Sequence, residues 1–196
     1  MKSRYLDILC GALVLLAGGA ILQLVFPRSE PPAHEKNLPA LVGGYRTIAA
    51  DCLWLETNLA WEIRNEARVR RLIDFTVKSD PHSPYFWLNG ARILAYDFPA
   101  WRCQQERTAP LSVQAGWRER GADEALLLLE RGQHWHGKSA ALHLEMANIC
   151  LYALGDHHRA AEYYRLASEQ SDAPDYAARI YGRLHDEEIA GMTLTR

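Results

Sequence analysis

The feature that most constrains the fold is the stretch from residue 142 to residue 174, which reads LHLEMANICLYALGDHHRAAEYYRLASEQSDAP. Apolar residues recur at helical spacing on both sides of Gly155-Asp156: Leu144, Ala147 and Leu151 before it, and Ala160, Tyr164 and Ala167 after it. The small side chains among them suit close contact between helices. The pattern therefore predicts a helical hairpin with a tight turn at Gly155-Asp156, whose apolar face is wide enough for neighbours on both sides.

Composition allows one such folded domain. The chain has 196 residues, of which 48% are hydrophobic and 23% charged, so it can bury a sizeable core. The formal net charge of -2 leaves no basic surface for nucleic acid, and we expect no nucleic-acid partner.

Residues 1–26 are predicted to be a membrane anchor. Within them, Ile8 to Phe26 is a run of 19 residues that only Gln23 interrupts. As a helix it would span about 28 Å, close to the roughly 30 Å of a hydrocarbon core. Gly18-Gly19-Ala20 would suit a signal peptidase, but the apolar run continues past it, which favours an uncleaved anchor.

Lysine and arginine are balanced on the two sides of this run, so charge orients it weakly. A long domain after a first apolar segment is often exported. We expect a single-pass protein of the cell membrane with its helical domain exported to the periplasmic or extracellular side. Residues 27–42, which contain four prolines, read as a stiff linker.

Residues 43–196 are predicted to be helical. After Gly43-Gly44, the first helix has an apolar stripe predicted to face inward, formed by Ile48, Cys52, Leu55 and Leu59. A second helix, from Asn65 to Ser79, would turn Val69, Leu72, Ile73 and Thr76 inward. Its outer face would carry Arg64, Arg68, Arg70 and Arg71, which read as solvated surface, with anionic lipid or an acidic partner as the alternative.

The middle of the chain reads as an interrupted hairpin. Leu151 and Ala160 are nine residues apart, whereas the equivalent Leu94 and Ala125 are 31 apart. We therefore expect a long loop of about 22 residues, roughly Asp97 to Trp117, inserted between two helices. Trp101 and Trp117 in this insert would either cover the domain's own groove or contact a partner.

Two further helices complete the domain. One resumes at Arg118 and would bury Ala125, Leu129 and Gly132. The other, from Asp175 to Glu188, has an apolar stripe of Tyr176, Ile180 and Leu184 and would cap the end of the stack.

This order of elements resembles the tetratricopeptide repeat, whose pattern is W-x2-L-G-x2-Y, A-x3-F and P. The residues that match its first helix best are Trp87, Gly90, Ala91 and Leu94, with Pro81 in phase before them. The segment GGYRTIAADCLWL, taken with the hairpin at Ala160 and the closing SDAPDYAAR, makes the chain similar to a bacterial-type group of membrane-anchored tetratricopeptide proteins. The resemblance implies an all-α chain, with a transmembrane helix followed by a short α-solenoid, and no enzyme activity.

The resemblance also implies a function. The chain would be a membrane-anchored adaptor or scaffold that holds a protein partner in the groove lined by the first helices. From repeat phase, the groove would be lined by Tyr85, Leu88, Arg92, Tyr96, Glu145, Ile149 and Tyr152. The alternative is a structural subunit of a larger membrane complex that packs through its transmembrane helix, where Gly11, Ala12, Gly18 and Gly19 would favour helix contact.

No constellation for catalysis or metal binding stands out. His134, His136, His143 and His157-His158 have no HExxH arrangement, and the sequence contains no CxxC, GxSxG, P-loop or GxGxxG. We expect no cofactor and no metal. Cys52 and Cys150 read as small hydrophobes, and Cys103 would pair with one of them only in an exported domain.

Overall fold

The computed structural model describes residues 38–137 and 139–194, with side chains from Tyr45 to Asp186 apart from residue 138. The predicted membrane segment, Ile8 to Phe26, and most of the linker lie outside the described residues. Within the described part, no helix combines the length and apolar character needed to cross a membrane.

All elements of the described residues are helical, which confirms the all-α prediction. In chain order they are α1 (Leu38–Glu62), α2 (Glu66–Ser79), α3 (Pro84–Arg92), the π-helical segment π1 (Ile93–Asp97), α4 (Phe98–Gln105), α5 (Leu111–His136), α6 (Ala140–Asn148), the π-helical segment π2 (Ile149–Leu154), α7 (His157–Ser168) and α8 (Asp175–Leu194).

Helix α1 begins at Leu38 and continues through Gly43 and Gly44, where the sequence had suggested an interruption. Its buried residues are Ala50, Trp54, Thr57 and Ala60. Trp54 packs against Phe86, with 5.6 Å between ring centroids.

The predicted inward stripe of α1 was therefore wrong. Its residues Ile48, Cys52, Leu55 and Leu59 are all exposed. The helix is apolar on both faces, and periodicity alone does not say which face meets the core. Trp54 lies on the other face, where its ring contacts Tyr85 and Phe86 of α3, and these contacts decide which face meets the core.

Helix α2 matches its prediction. Asn65 caps it by accepting a hydrogen bond from the Arg68 backbone N–H at 3.1 Å. Its buried residues are Val69, Leu72, Ile73, Thr76 and Val77. The turn between α1 and α2 places Arg64 at a φ of 54°, an uncommon conformation for a residue with a side chain.

The insert in the middle hairpin is helical, so the predicted long loop was wrong. Helix α4 follows π1 directly, only Glu106 to Pro110 separate it from α5, and α5 begins seven residues before the predicted Arg118. Pro99 lies in the first turn of α4, directly after the widened turns of π1, and the backbone before it at Asp97 and Phe98 is already helical. The proline is therefore accommodated within a helix.

The hairpin at Gly155-Asp156 is confirmed. Gly155 adopts a left-handed conformation with φ 67°, which ends π2. Asp156 then caps α7 by accepting a hydrogen bond from the Arg159 backbone N–H at 2.9 Å. Across the hairpin, the Tyr164 hydroxyl donates to Asn148 Oδ1 at 2.7 Å.

Helix α8 packs against α7 and extends to Leu194, beyond the predicted end at Glu188. The loop before it also supports α6, because the Asp172 carboxylate accepts hydrogen bonds from the Ala140 backbone N–H at 2.8 Å and from the Ser139 hydroxyl at 3.0 Å. One cluster of buried side chains runs from Ala50 on α1 to Leu184 on α8.

Candidate functional site

The two π-helical segments lie in contact and form the centre of the candidate site. The segment π2 ends the first helix of its hairpin, whereas π1 lies between α3 and α4 with helical backbone on both sides. In each segment a backbone N–H bonds the carbonyl five residues before it: Phe98 N–H bonds Ile93 at the end of π1, and Gly155 N–H bonds Cys150 at the end of π2. Such widened turns occur frequently at functional sites.

An ion pair joins α3 to α6 beside these segments. Arg92 donates to Glu145 Oε2 from Nη2 at 2.6 Å and from Nε at 3.0 Å. The Glu145 side chain is 5% exposed, whereas that of Arg92 is 52% exposed. The hydrogen bond to Glu145 raises the pKa of Arg92, so the guanidinium stays charged.

Three tyrosines occupy this face. Burial, together with the negative charge of Glu145, raises the pKa of Tyr96 to about 12, so its hydroxyl is neutral at physiological pH and can donate a hydrogen bond. Tyr152 follows on π2 and is 71% exposed. Tyr85 lies at the start of α3 and packs edge-on against Trp54, with 5.7 Å between ring centroids.

A cleft of about 330 Å³ lies between π1, π2, α4 and α5. It is lined by Ala95, Tyr96, Pro99, Ala100, Cys103, Arg118, Tyr152 and Ala153. Arg118 is exposed and makes no hydrogen bond or ion pair with any described residue. The cleft thus offers a charged donor, two phenol groups and a partly apolar floor.

The structure separates the predicted groove residues into two groups. Tyr85, Arg92, Tyr96 and Tyr152 have exposed or half-buried side chains, and the last three lie together. Glu145 and Ile149 are buried, and Leu88 is packed against the core. Repeat phase placed all seven residues on the first helices, but it did not distinguish the side chains that support the surface from those that form it.

The two tryptophans of the insert belong to the domain's own packing. Trp101 is 6% exposed and Trp117 is 8% exposed. Trp101 packs against Phe98 and Trp61, with 5.2 and 5.9 Å between ring centroids. Of the two alternatives for these tryptophans, the structure favours packing on the domain over contact with a partner.

Besides the two tyrosines, the cleft has two side chains that could act chemically, Cys103 and Arg118, and the sequence did not indicate either of them. The insert was expected to be a loop, so nothing placed α4 and the first turns of α5 beside π2. The apolar spacing within FPAWRCQQ could have indicated the helix α4, but the proline in this segment made a helix look unfavourable.

The histidines and cysteines that the structure describes do not assemble into a site. Nε2 of His136 lies 3.0 Å from the Pro81 carbonyl, and Nδ1 of His143 lies 3.3 Å from the Ser139 carbonyl. Within the described ranges, no group of three His, Cys, Asp or Glu residues is arranged to hold a metal ion. Cys52, Cys103 and Cys150 are free thiols.

Comparison with known proteins does not extend this interpretation. No family model matches the chain, and no curated protein matches it significantly. The resemblance to tetratricopeptide proteins therefore depends on the residues and helices described above.

Proposed function

We propose that this protein is a tetratricopeptide-like adaptor, held at a membrane by residues 8–26, that binds a segment of a partner protein along the face of α3, π1, α6 and π2. The exposed tyrosine and arginine side chains at the contact of the two π segments are the observation that supports it. Tyrosine and arginine are enriched where interfaces concentrate their binding energy.

The order of the helices supports the repeat interpretation. Successive helices pack in pairs, α6 with α7 and α7 with α8, and the first helices of the two hairpins adjoin through π1 and π2. In tetratricopeptide arrays the binding surface is built from such first helices. Helix α4 adds a wall to this face, which a regular repeat does not have.

The chemistry of the cleft indicates what the partner segment carries. Arg92 is already paired with Glu145, whereas Arg118 has no partner among the described residues and Tyr96 keeps its proton. A carboxylate in the cleft would accept hydrogen bonds from these donors. An aromatic or apolar side chain beside it would pack on Tyr152.

The test is partner capture by crosslinking in intact membranes. We expect Tyr152→Ala and Arg118→Ala each to weaken capture about 10-fold or more, the loss typical of an interface hot spot. Matched controls are Phe75→Ala and Arg71→Ala on α2, which remove an aromatic ring and a guanidinium from exposed positions outside the proposed face. Equal capture by the test and control variants would contradict the proposal.

Arg92 and Glu145 are the two charged residues of the predicted groove, but charge reversal at either one is a poor test of partner binding. Either change would break the pair that joins α3 to α6 and leave a charge without its partner, so lost capture would be confounded with lost stability. Exchanging residues 1–26 for an unrelated membrane span provides a further control. An adaptor should retain capture after that exchange, whereas a subunit assembled through its membrane helix should lose it.

A further inference from the structure

Helix α1 has an exposed apolar surface that the proposed function does not use. We call it the α1 stripe; it consists of Tyr45, Ile48, Cys52, Leu55 and Leu59. Ile48, Leu55 and Leu59 are between 61% and 65% exposed. The opposite face of the helix already packs into the core. Contiguous exposed apolar surface of this kind marks interaction sites, so the stripe indicates a partner.

The spacing of the stripe fits a helical partner. Its residues are separated by three, four, three and four positions, which is the heptad spacing of a coiled-coil seam. A 3.5-residue period keeps the apolar side chains facing one neighbouring helix along its whole length. A partner of irregular shape would place no such demand on the spacing.

We propose that the α1 stripe binds the α1 stripe of a second copy of this chain in antiparallel orientation. In that register Cys52 faces Leu55 of the second copy, and Ile48 faces Leu59 of the second copy. Each apolar layer then occurs twice, as the twofold symmetry of a homodimer requires. Tyr45, which has a hydroxyl, faces Glu62 of the second copy at the ends of the seam.

The charges beside the stripe select the antiparallel orientation. Asp51 and Glu56 flank it on opposite sides. A parallel pair would bring Asp51 against Glu56 of the second copy, so like charges would face each other twice. The antiparallel pair places Asp51 beside Asn58 and Glu56 beside Ala49. Glu56 is already paired with Arg68 of its own copy at 3.3 Å, so it needs no charge across the seam.

The exposed area of the α1 stripe is close to the area that each partner buries in a stable dimer. The five side chains of the stripe expose on the order of 600 Å² per copy, against about 800 Å² per partner in stable interfaces. The flanking Ala49, Glu56 and Asn58 are also exposed and would contribute most of the difference. An interface at this lower end of the size range suits a weak dimer, which is why its mass is measured at high protein concentration.

The first experiment measures the mass of the full chain in mild detergent by sedimentation at tens of micromolar. We expect the wild type to be a dimer and Leu55→Asp/Leu59→Asp to raise the dissociation constant about 100-fold or more, because two buried leucines are lost from each copy. The matched control, Leu111→Asp/Leu127→Asp, makes the same change at two exposed leucines of α5 and should stay dimeric. Far-UV circular dichroism checks that all variants remain folded.

Two results would overturn the proposal. One is a monomeric wild type, which would mean that something other than a second copy covers the stripe. The other is a dimer that survives Leu55→Asp/Leu59→Asp, which would place the contact elsewhere, the segment Ile8 to Phe26 included.

Oxidative crosslinking tests the orientation, in a background carrying Cys10→Ser, Cys103→Ser and Cys150→Ala. Antiparallel α1 helices should crosslink only when Cys52 is combined with Leu55→Cys, because these positions face each other across the seam. Cys52 alone, or Leu55→Cys with Cys52→Ser, should yield monomer on non-reducing gels. Efficient crosslinking through either single thiol would show parallel helices and overturn the proposed orientation.

Discussion

Glu66, at the start of α2, shows how single side chains attach the insert to the domain. Its carboxylate accepts hydrogen bonds from Arg102 on α4 at 2.9 Å and from Arg70 at 3.1 Å. Arg70 also donates to Glu124 on α5 at 2.8 Å and stacks over Phe98, 4.5 Å from the ring centroid. Arg70 was expected on a solvated face, but it lies in an ionic network that joins three helices.

This network should give stability a measurable dependence on pH. Burial alone would raise the pKa of Glu66, but the hydrogen bonds from Arg102 and Arg70 outweigh it, so the pKa lies below its usual value of 4.5. A carboxyl group with a lowered pKa stabilises the fold above its unfolded-state pKa and loses that contribution as pH falls through the folded-state pKa.

We therefore expect Glu66→Gln to reduce the free energy of unfolding at pH 7 by up to about 1 kcal/mol, since the group is partly exposed. The difference from the wild type should shrink as pH is lowered from about 4.5. Urea unfolding across this range measures both effects. Glu119→Gln, at an exposed position on α5, is the control. A wild-type advantage that persists at the lowest pH would contradict the assignment.

Three glycines differ in their surroundings and in their backbone conformation. A methyl group at Gly121 of α5 would lie 2.5 Å from the Leu94 carbonyl oxygen and 2.8 Å from Pro99 Cγ, so α5 contacts the backbone of π1 directly. Gly155 has open space around it but a φ of 67°, which suits the turn between π2 and α7. Gly116, also on α5, has open space and an ordinary helical backbone.

These roles predict three different outcomes for substitution by alanine. Gly121→Ala should cost about 1–3 kcal/mol through overpacking against backbone. Gly155→Ala should cost about 1–2 kcal/mol through left-handed strain. Gly116→Ala should stabilise the protein by about 0.4–1 kcal/mol, because alanine restricts the unfolded chain. Urea unfolding of the three variants would distinguish them, and equal effects would show that their surroundings are not as described.

The continuous core implies that the described helices unfold together. Buried residues from α1 to α8 form one cluster, so no hairpin has a separate core of comparable size. All six tryptophans lie between Trp54 and Trp135, and α6, α7 and α8 contain none. Tryptophan fluorescence therefore reports on α1 to α5, whereas far-UV circular dichroism reports on every helix.

We expect the two signals to give coincident urea transitions at a fixed protein concentration. Because small repeat domains retain cooperativity through contacts between neighbouring helices, a single transition is the expected behaviour. A circular dichroism transition that precedes the fluorescence transition would show that the carboxy-terminal helices unfold first. In that case the confirmed hairpin would not be the most stable part of the domain.

The sequence by itself determined the helical class and the features that local chemistry controls. The glycine turn at Gly155, the Asn65 cap and the inward residues of α2 follow from backbone conformation, hydrogen bonding and period, all of which act within one turn of helix. The positions of Tyr96 and Tyr152 on first helices followed from repeat phase in the same way.

Only the tertiary structure decided which of two apolar faces meets the core and how the insert folds. Helix α1 is apolar on both sides, and the choice between them depended on Trp54, whose ring packs against Tyr85 and Phe86 of α3. Pro99 reads as a loop residue in isolation but is compatible with the first turn of a helix once Asp97 and Phe98 continue from π1. Both outcomes depend on contacts between residues distant in sequence, which local periodicity does not encode. The same contacts leave the α1 stripe exposed.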